Sequence, residues 1–473
     1  MTGSIEDGAS GTGRAGVLDR IHPAWIGLGL ALVALVVYIL CNPARQNFYD
    51  HFVWQADAWL HGRAAITWPV SDGPFTNAYF QDVYPCSATG PPPLCDPNGY
   101  GLLPFPPLPA VVLLPFVALF GLATNAALVA AVLGAINVGL CWRMVTRVTE
   151  RRGAAVLATA FYGFGTVAWY AAMLGSTWFL AHVVASTFLF IGITAALDAE
   201  ARQRVSGGVR LILGVIDPRQ FLAGLLFGMA ATARLTTILG APFFAFVGGG
   251  GNLWRRAFSA ALGAAIPVAM LLGYNVITTG HPFHPGYDYL ARTEYHPKAD
   301  FYHADWAIED PRYVIQNAQI LFLWPPQTPA SSDPVCTDPN DPNYHPPPTG
   351  LGIIFDPTCP ILRPDPLGMS LLLTSPAYLL AIPPLIGLRR RKRRLVVGAG
   401  LAVGAVALVN LMHFSQGWVQ FGYRFSNDFA PFAMIAVALG IARLRSRWLA
   451  VALVVASIVI NAWGVYWGVT LGW

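Results

Sequence analysis

Apolar residues lie in long unbroken runs along most of this chain, and polar residues collect in the segments between the runs. An α-helix that crosses a bilayer needs ~20 consecutive apolar residues with few charges. Continuous runs such as 26–40 exclude an outer-membrane β-barrel, whose strands alternate in hydrophobicity. The pattern predicts crossings at 23–41, 123–142, 153–171, 177–197, 257–277, 369–388, 395–412, 429–442 and 448–468, and shorter helices at 220–233 and 235–249 that meet at Arg234. We therefore expect an all-α polytopic membrane protein with about eleven transmembrane helices.

The segment 105–120 is also apolar enough to cross the membrane, but it is rich in proline, with Pro109 and Pro115 among its residues. Counting it as a crossing would place the four arginines of the 143–152 loop outside, against the rule that basic loops stay in the cytoplasm. We therefore interpret 105–120 as an interfacial or re-entrant element.

Basic residues are concentrated on one side of the membrane. The loops that must share this side hold 21 of the 29 Lys and Arg and only 7 of the 24 acids: the N-terminus, 143–152, 198–219, 250–256, 389–394 and 443–447. By the positive-inside rule this side is cytoplasmic, so we expect a cytoplasmic N-terminus and an extracytoplasmic C-terminus. The first run is a full-length span rather than the short core of a cleaved signal, so it should remain as a signal anchor.

The composition narrows the class of protein. Charged residues make up 11% of the chain and hydrophobic residues 55%, whereas soluble domains carry about 25% charged residues. These values exclude a soluble enzyme, a disordered chain and a nucleic-acid-binding module. The glycines at 248–251 are not followed by Lys and Ser or Thr, so they do not form a phosphate-binding loop and an ATP-driven pump is not expected.

Two long segments, 42–104 and 278–368, are predicted to lie outside the cytoplasm. Because that side is oxidising, their cysteines predict two disulfides, Cys86–Cys95 and Cys336–Cys359. Cys41 and Cys141 lie in spans and are expected to be buried thiols. The predicted order is a cytoplasmic tail 1–22, a first transmembrane helix 23–41, an outer loop 42–104, a transmembrane core 105–277, an outer loop 278–368 and C-terminal transmembrane helices 369–473.

A short interfacial helix is predicted directly after the first span, because aromatic residues and Leu recur at helical spacing from Phe48 to Leu60. It carries Asp50 and Asp57, which are seven residues apart and share a face. Two interpretations follow. The acids are solvated groups on an amphipathic helix, or a carboxylate is held at the membrane surface as a base that activates a hydroxyl against a lipid-linked substrate.

Several stretches, taken in order, resemble the bacterial integral-membrane glycosyltransferases of the GT-C superfamily, specifically the family-39 protein mannosyltransferases and the aminoarabinose transferases of lipid A. They are Asp50 after the first span, AWLHGR at 58–63, GLLPFPPLPA at 101–110, ATARLT at 231–236, GHPFHPGY at 280–287, TSPAY at 374–378 and FGYRF at 421–425. The chain departs from the family where it has His51 in place of a second adjacent acid, where a Pro is missing after Arg234, and in its two Cys-bounded insertions.

The resemblance implies a GT-C-like fold in the inner (plasma) membrane of a bacterium. It also implies that an acceptor hydroxyl displaces a sugar from polyprenyl phosphate with inversion, with Asp50 as the base and cations that stabilise the leaving phosphate. The expected partners are a polyprenyl-phosphate-linked sugar donor, a glycan, lipid or protein acceptor, and membrane lipid, with no nucleic acid.

The two main candidate cations each have a structural alternative. Arg234 lies in the break between two apolar helices, where it contacts the donor phosphate or forms an ion pair with a nearby acid. Arg424 follows Tyr423 in an aromatic turn, where it contacts the donor or pairs locally with Asp428 at i,i+4. We predict that Arg234, Tyr423 and Arg424 bind substrate.

Asp57, Arg63 and His182 complete the predicted substrate site. Asp57 is the alternative base, Arg63 either holds phosphate or caps its helix, and His182 either faces the ligand or is a hydrogen-bonded core residue. Histidines and acids of the second outer loop suggest a divalent metal, with Asp50 or the pair His303 and Asp305 as ligands, but no spacing fixes them to one point, so no cofactor is assigned.

A polytopic transporter or flippase for a lipid-linked or small polar substrate is the alternative function. Sparse charges within many apolar helices fit that class too, but transporters commonly contain inverted repeats with matched broken helices, and the sequence shows no such self-similarity.

Overall fold

The computed structural model describes residues 20–43, 49–67, 82–86, 101–206, 212, 214–291, 303, 305–386, 392–417, 419–444 and 446–473. Within these residues the chain is mostly helical. The N-terminal part contains helices α1 Pro23–Cys41, α2 His51–Leu60, α3 Leu108–Phe120, α4 Ala126–Val148, α5 Arg152–Phe164, α6 Ala168–Leu174, α7 Thr177–Ser206, α8 Pro218–Ala231, α9 Ala241–Phe246 and α10 Leu253–Thr279.

The C-terminal part contains helices α11 Gly286–Tyr289, α12 Tyr313–Leu323, α13 Pro329–Ser332, α14 Pro334–Thr337, α15 Leu371–Thr374, α16 Ile382–Ile386, α17 Arg393–Met412, α18 Ser426–Arg443 and α19 Arg447–Thr470. Short 3-10 helices span Gly121–Ala123, Leu235–Gly240, Gly350–Ile354 and Pro376–Ala381. One small antiparallel sheet pairs β1 Tyr84–Pro85 with β2 Gly101–Leu102, with Tyr84 opposite Leu102.

Six helices among the described residues are long and apolar enough to cross a membrane, namely α1, α4, α7, α10, α17 and α19. Helices α5 and α6 meet that criterion together as a pair bent by 47°. The protein is therefore a multi-pass membrane protein. These elements coincide with the predicted crossings at 23–41, 123–142, 153–171, 177–197, 257–277, 395–412 and 448–468.

The other predicted crossings fall on shorter or interrupted helices. The pair around Arg234 is α8, of 14 residues, followed by a 3-10 helix and α9. The 369–388 segment is divided among α15, a 3-10 helix and α16. The count of eleven crossings therefore stays a prediction. The 105–120 segment forms α3, whose 13 residues include Pro115, and its interfacial or re-entrant character also stays a prediction.

Helix α18 lies at the centre of the bundle. Its side chains are buried from Ser426 to Ile441, and its only charged residues are Asp428 and Arg443. A helix that is apolar on all sides is expected to be surrounded by protein or lipid, and here α5, α7 and α17 pack against it. The first turn of α18, which holds Asp428, is thereby placed beside the first turns of α7.

Helices α8 and α10 cross closely because small residues face each other. Gly224 and Gly228 of α8 contact Ala260 and Ala264 of α10, and a Cβ at Gly228 would lie 2.6 Å from the carbonyl oxygen of Ala264. Small residues four apart are the usual means of close packing between membrane helices. This packing fixes the end of α8, and therefore the position of Arg234 three residues beyond it.

The second outer loop has helical structure of its own, of which α12 is the longest piece. Cys336 and Cys359 form a disulfide with an S–S distance of 2.07 Å, which confirms that prediction. Cys41 and Cys141 are free; Cys141 is buried as predicted, whereas Cys41 is only half-buried. Cys95 lies outside the described residues, so the pairing Cys86–Cys95 stays a prediction.

Candidate active site

Asp50 is the residue directly before α2, the helix predicted after the first span, whose interfacial position stays a prediction. The Asp50 side chain makes no capping hydrogen bond to the helix. Its Oδ1 atom is buried and has no hydrogen-bond partner among the described residues. Burial disfavours the charged form and raises the pKa of Asp50 to about 7. A carboxyl group with this pKa can accept a proton near neutral pH.

The backbone on both sides of Asp50 is fixed by Thr177, the first residue of α7. The carbonyl of Tyr49 accepts hydrogen bonds from both the backbone N–H and the hydroxyl of Thr177. The backbone N–H of His51 donates to the Thr177 oxygen at 3.1 Å. Tyr49 has φ +57°, a conformation that non-glycine residues adopt at a cost of about 1–3 kcal/mol. These contacts hold Asp50 at the N-terminal end of α7.

The alternative base, Asp57, is engaged at the other end of α2. Its Oδ2 lies 3.9 Å from the Arg63 guanidinium and 3.5 Å from the His61 ring. The backbone N–H of Arg63 donates to the carbonyl of Ala58 at 2.8 Å. The structure thus places Asp57 and Arg63 together at the helix end, in the capping arrangement that was the structural alternative for Arg63.

Trp178 connects the surroundings of Asp50 with Arg424. The Trp178 ring lies 4.8 Å from the Tyr49 ring, and the Arg424 guanidinium lies 5.7 Å from the Trp178 ring. The Trp178 indole N–H donates to Oδ2 of Asp82 at 2.8 Å. Asp82 is buried and has φ +64°. Non-glycine residues held at positive φ cluster at functional sites, so Asp82 joins the candidate site.

A buried hydrogen-bond network surrounds Asp428 in the first turn of α18. Arg234 donates to both carboxylate oxygens, from Nε at 3.2 Å and from Nη2 at 3.1 Å. The hydroxyl of Thr236 donates to Oδ2 at 2.8 Å, and Nδ1 of His182 lies 2.7 Å from Oδ1. A carboxylate only accepts, so His182 carries its proton on Nδ1. Its Nε2 is buried without a hydrogen-bond partner among the described residues.

This network realises the structural alternatives for two predicted residues. Arg234 is ion-paired with an acid, and His182 is a hydrogen-bonded core residue. Asp428, which was the possible local partner of Arg424, accepts two hydrogen bonds from Arg234. The Arg234 side chain nevertheless keeps 18% of its surface exposed, whereas Asp428 and His182 are enclosed. Of Arg234, Asp428 and His182, Arg234 is therefore the residue that a ligand can reach.

Arg234 and Arg424 converge on one aromatic ring. Their guanidinium carbons lie 5.2 Å and 5.4 Å from the centre of the Phe425 ring. Tyr423 is buried, and its hydroxyl donates to the carbonyl of Asn410 at 3.3 Å. The structure thus brings the two predicted cations together, while the Tyr423 hydroxyl is used within the fold.

Three of the stretches that carry the family resemblance meet beside Asp50. Leu108 donates its backbone N–H to the carbonyl of Thr232 at 3.1 Å, which joins 101–110 to 231–236. The rings of Phe105 and Tyr287 lie 6.1 Å apart, which joins 101–110 to 280–287. Phe105 also lies 6.3 Å from the His51 ring, beside Asp50. Segments far apart in sequence therefore form one site.

The residues suggested as metal ligands do not converge in the described part of the chain. No group of three or more His, Cys, Asp or Glu side chains there is arranged to hold a metal ion. His303 stacks on Trp306 at 4.0 Å. Nδ1 of His284 accepts the backbone N–H of Gly286 at 3.0 Å, and burial lowers the pKa of His284 to about 4. His296 and Asp300 lie outside the described residues.

Several site residues were missed from the sequence. Asp82 and Thr177 carried no motif, because their roles depend on contacts with residues about a hundred positions away in the chain. Asp428 was considered only as a local partner of Arg424. Its signal was the presence of a carboxylate in an otherwise apolar helix, since ionisable residues within spans are usually functional.

No protein-family model matches the sequence, and no curated protein matches it. The chain is similar to the Archaeoglobus fulgidus oligosaccharyltransferase tethered through a disulfide to an acceptor peptide containing the NVT sequon, with 13% identity and a TM-score of 0.48 over 94% of this chain and 55% of that chain. The apo form of the same protein gives 13% identity and a TM-score of 0.47 over 93% and 56%. This chain spans about half the length of that protein.

Proposed function

We propose that this protein is a membrane glycosyltransferase that moves a sugar from a polyprenyl-phosphate donor to the hydroxyl of an extracytoplasmic acceptor. The observation that supports it most is that Trp178 contacts both Tyr49, beside the buried Asp50 carboxyl group with its pKa of about 7, and Arg424. The donor class and the inverting course come from the family resemblance of the sequence elements that meet around this site.

In the proposed reaction Asp50 is the general base. Its carboxylate takes the proton of the acceptor hydroxyl while the acceptor oxygen forms a bond to the anomeric carbon. The bond from that carbon to the phosphate oxygen breaks, and its electron pair leaves with the polyprenyl phosphate. Attack from the face opposite the leaving group inverts the configuration, and the energy comes from the donor, so no nucleotide is needed.

Arg234 and Arg424 are proposed to stabilise the leaving phosphate. Charge grows on the phosphate only as the glycosidic bond breaks, so a fixed cation there favours the transition state over the ground state. The hydrogen bonds from Arg234 to Asp428 orient one edge of the guanidinium and leave Nη1 for a ligand. Asp428 is then a positioning residue that acts through Arg234.

The decisive experiment compares lipid-linked sugars in a deletion strain with those in strains that carry variants. Loss of the enzyme should make its unused polyprenyl-phosphate sugar accumulate. The wild-type gene and Asp57→Asn should clear the accumulated donor, whereas Asp50→Asn should not, because an amide keeps the shape of the side chain but cannot take the proton. If no lipid-linked sugar accumulates, or if Asp50→Asn clears it as the wild type does, the proposal is wrong.

A further inference from the structure

The disulfide-closed part of the second outer loop presents apolar side chains on its surface. Leu351 in the 3-10 helix Gly350–Ile354 is 80% exposed, and Phe355 directly after it is 53% exposed. Ile361 and Leu362, which follow Cys359 where the chain leaves the loop, are also exposed. We call these four residues, together with the exposed Ile354, the apolar tip. A contiguous exposed apolar patch usually marks an interaction surface.

The loop holds these residues together as one surface. The disulfide Cys336–Cys359 closes the loop, and the backbone N–H of Ile361 donates to the carbonyl of Ile353 at 3.0 Å. Gln327 and Arg363 exchange two backbone hydrogen bonds, at 2.8 and 3.0 Å, where the chain enters and leaves the loop. The apolar tip is therefore a fixed feature and not the result of side chains that happen to lie near each other.

The apolar tip is joined to the outer end of α19 through Phe355. The rings of Phe355 and Tyr466 lie 5.2 Å apart, and the Tyr466 hydroxyl donates to the carbonyl of Phe355 at 3.3 Å. Tyr466 continues a stripe of exposed apolar residues along α19, formed with Trp448, Val455 and Val459. The spacings of seven, four and seven residues place all four on one face of the helix. In a candidate membrane span this face is the one in contact with lipid.

The stripe also sets the height of the apolar tip relative to the bilayer. Trp448 and Tyr466 are 18 positions apart, which at the rise of an α-helix is about 27 Å, close to the thickness of the hydrocarbon core. Trp and Tyr are enriched at the two interfaces of a membrane. This spacing places Tyr466 at an interface of the membrane, and Phe355, which contacts Tyr466, at the level of the lipid headgroups and upper acyl chains.

We propose that the apolar tip inserts into the outer leaflet and anchors the second outer loop to the membrane surface. Its partner is the acyl-chain region of the lipids that surround α19. Another part of the same loop, 338–341, is polar, with Asp338 and Asn340 exposed and Asp341 half-buried, and we expect it to face water. Continuity with the lipid-facing stripe distinguishes this surface from a site for a protein partner, which would have to displace lipid along α19.

The test places a fluorescent label at each side of the loop in the purified full-length chain. Leu351→Cys and the matched control Asn340→Cys are labelled with an environment-sensitive dye and reconstituted in vesicles of phosphatidylcholine and phosphatidylglycerol. The unsubstituted chain, treated in the same way, gives the background signal from any label on Cys41. Spin-labelled lipid should quench the label at 351. Iodide should quench the label at 351 several-fold less than it quenches the label at 340. Equal quenching of both labels by iodide would overturn the proposal.

A second measurement needs no new cysteine. A photoactivatable phosphatidylcholine with its reactive group in the acyl chain should tag peptides that contain 350–362 in the unsubstituted chain, and it should leave 338–343 untagged. Tagging of the transmembrane helices without any tag on 350–362 would contradict insertion of the apolar tip.

Discussion

Burial gives the carboxyl group of Asp50, the proposed base, a pKa near neutrality. Asp50 precedes α2 without capping it, and the residues on both sides of it are bound to Thr177. A carboxyl that capped the helix would have a stabilised charge and a lower pKa. Because this one is buried without a partner for Oδ1 among the described residues, its pKa is about 7.

The first prediction is the pH dependence of transfer. Asp50 accepts a proton only as the carboxylate, and its raised pKa means that this form is lost as the pH falls below about 7. We expect kcat/KM to rise with pH through about 7 and then level off, measured in vesicles with lipid-linked sugar. Asp57→Asn should keep this rise. A rise centred near the ordinary pKa of Asp, about 4, would contradict the assignment.

The second prediction concerns Arg234. Removing one preorganised cation that faces the leaving phosphate lowers turnover roughly 10²-fold or more, so Arg234→Ala should lose about that much turnover. Arg234→Lys should be only partly active, because a point charge replaces a planar fork that holds Asp428 at two atoms. Arg424→Ala should lose turnover on the same scale. The control is Arg312→Ala, whose side chain pairs with Asp310 on an exposed loop. The hypothesis fails if Arg234→Ala and Arg312→Ala have the same turnover with saturating donor.

The third prediction separates catalysis from folding within the Asp428 network. Removing one partner of a buried ion pair leaves the other charge uncompensated, at a cost of about 3–5 kcal/mol. Arg234→Ala should therefore lower the free energy of unfolding, and Asp428→Asn added to it should recover part of that loss. Turnover should not recover in the double variant, because the cation is still absent. Recovery of turnover along with stability would show that Arg234 has only a structural role.

At the scale of elements, one helix terminus organises the site. The first two turns of α7 supply Thr177 to the Asp50 segment, Trp178 to Asp82 and Arg424, and His182 to Asp428. The start of α18 approaches the same turns with Asp428. Two helix ends thus align the proposed base and the proposed cations, and a shift of α7 would move both groups.

The fourth prediction concerns the outer loops as elements. Cys336–Cys359 and Cys86–Cys95 should be found as linked peptides in non-reduced digests, while Cys41 and Cys141 stay free. In the chain-entropy model a closed loop of 15 residues contributes about 3 kcal/mol, and both predicted loops are close to that size. Alkylation of Cys86 or Cys95 in oxidised membranes would contradict the second pair and its extracytoplasmic position.

At the scale of the whole molecule, charge and length together set the arrangement in the membrane. Six long apolar helices and the bent pair α5–α6 are candidate spans in the described part of the chain. Asp50, Asp82, Asp428, Arg234 and Arg424 gather at one end of this bundle. Arg443 lies at the other end of α18 from Asp428, and Arg219 lies at the other end of α8 from Arg234, as expected for a site that faces away from the cytoplasm.

The fifth prediction is the orientation of the chain. Alkaline phosphatase, which is active only outside the cytoplasm, should be active when fused after residue 473 and inactive when inserted in 389–394. A fluorescent protein that folds only in the cytoplasm should give the reverse result. Activity of the phosphatase at 389–394 would overturn the orientation and with it the extracytoplasmic position of Asp50.

The sequence by itself determined the features whose physical cause is local. The bilayer demands a fixed length of apolar residues, so seven predicted crossings coincide with long helices or with the bent pair. Aromatic spacing located α2, and two cysteines close in the chain located the disulfide Cys336–Cys359. Asp50 was predicted because it is the first acidic residue after the first span, and its position can be read without knowledge of any distant contact.

Only the tertiary structure decided which polar groups meet. Asp428 lies 194 residues from Arg234 and 246 from His182, and local spacing pointed instead to Arg424, four residues away. In a buried environment a carboxylate must be satisfied by whichever donors the packing of helices brings to it. Local periodicity does not contain that information. The same reason explains why Asp82 and Thr177 were not predicted. Their contacts form only because the segment at 82 and the start of α7 pack together beside the start of α2.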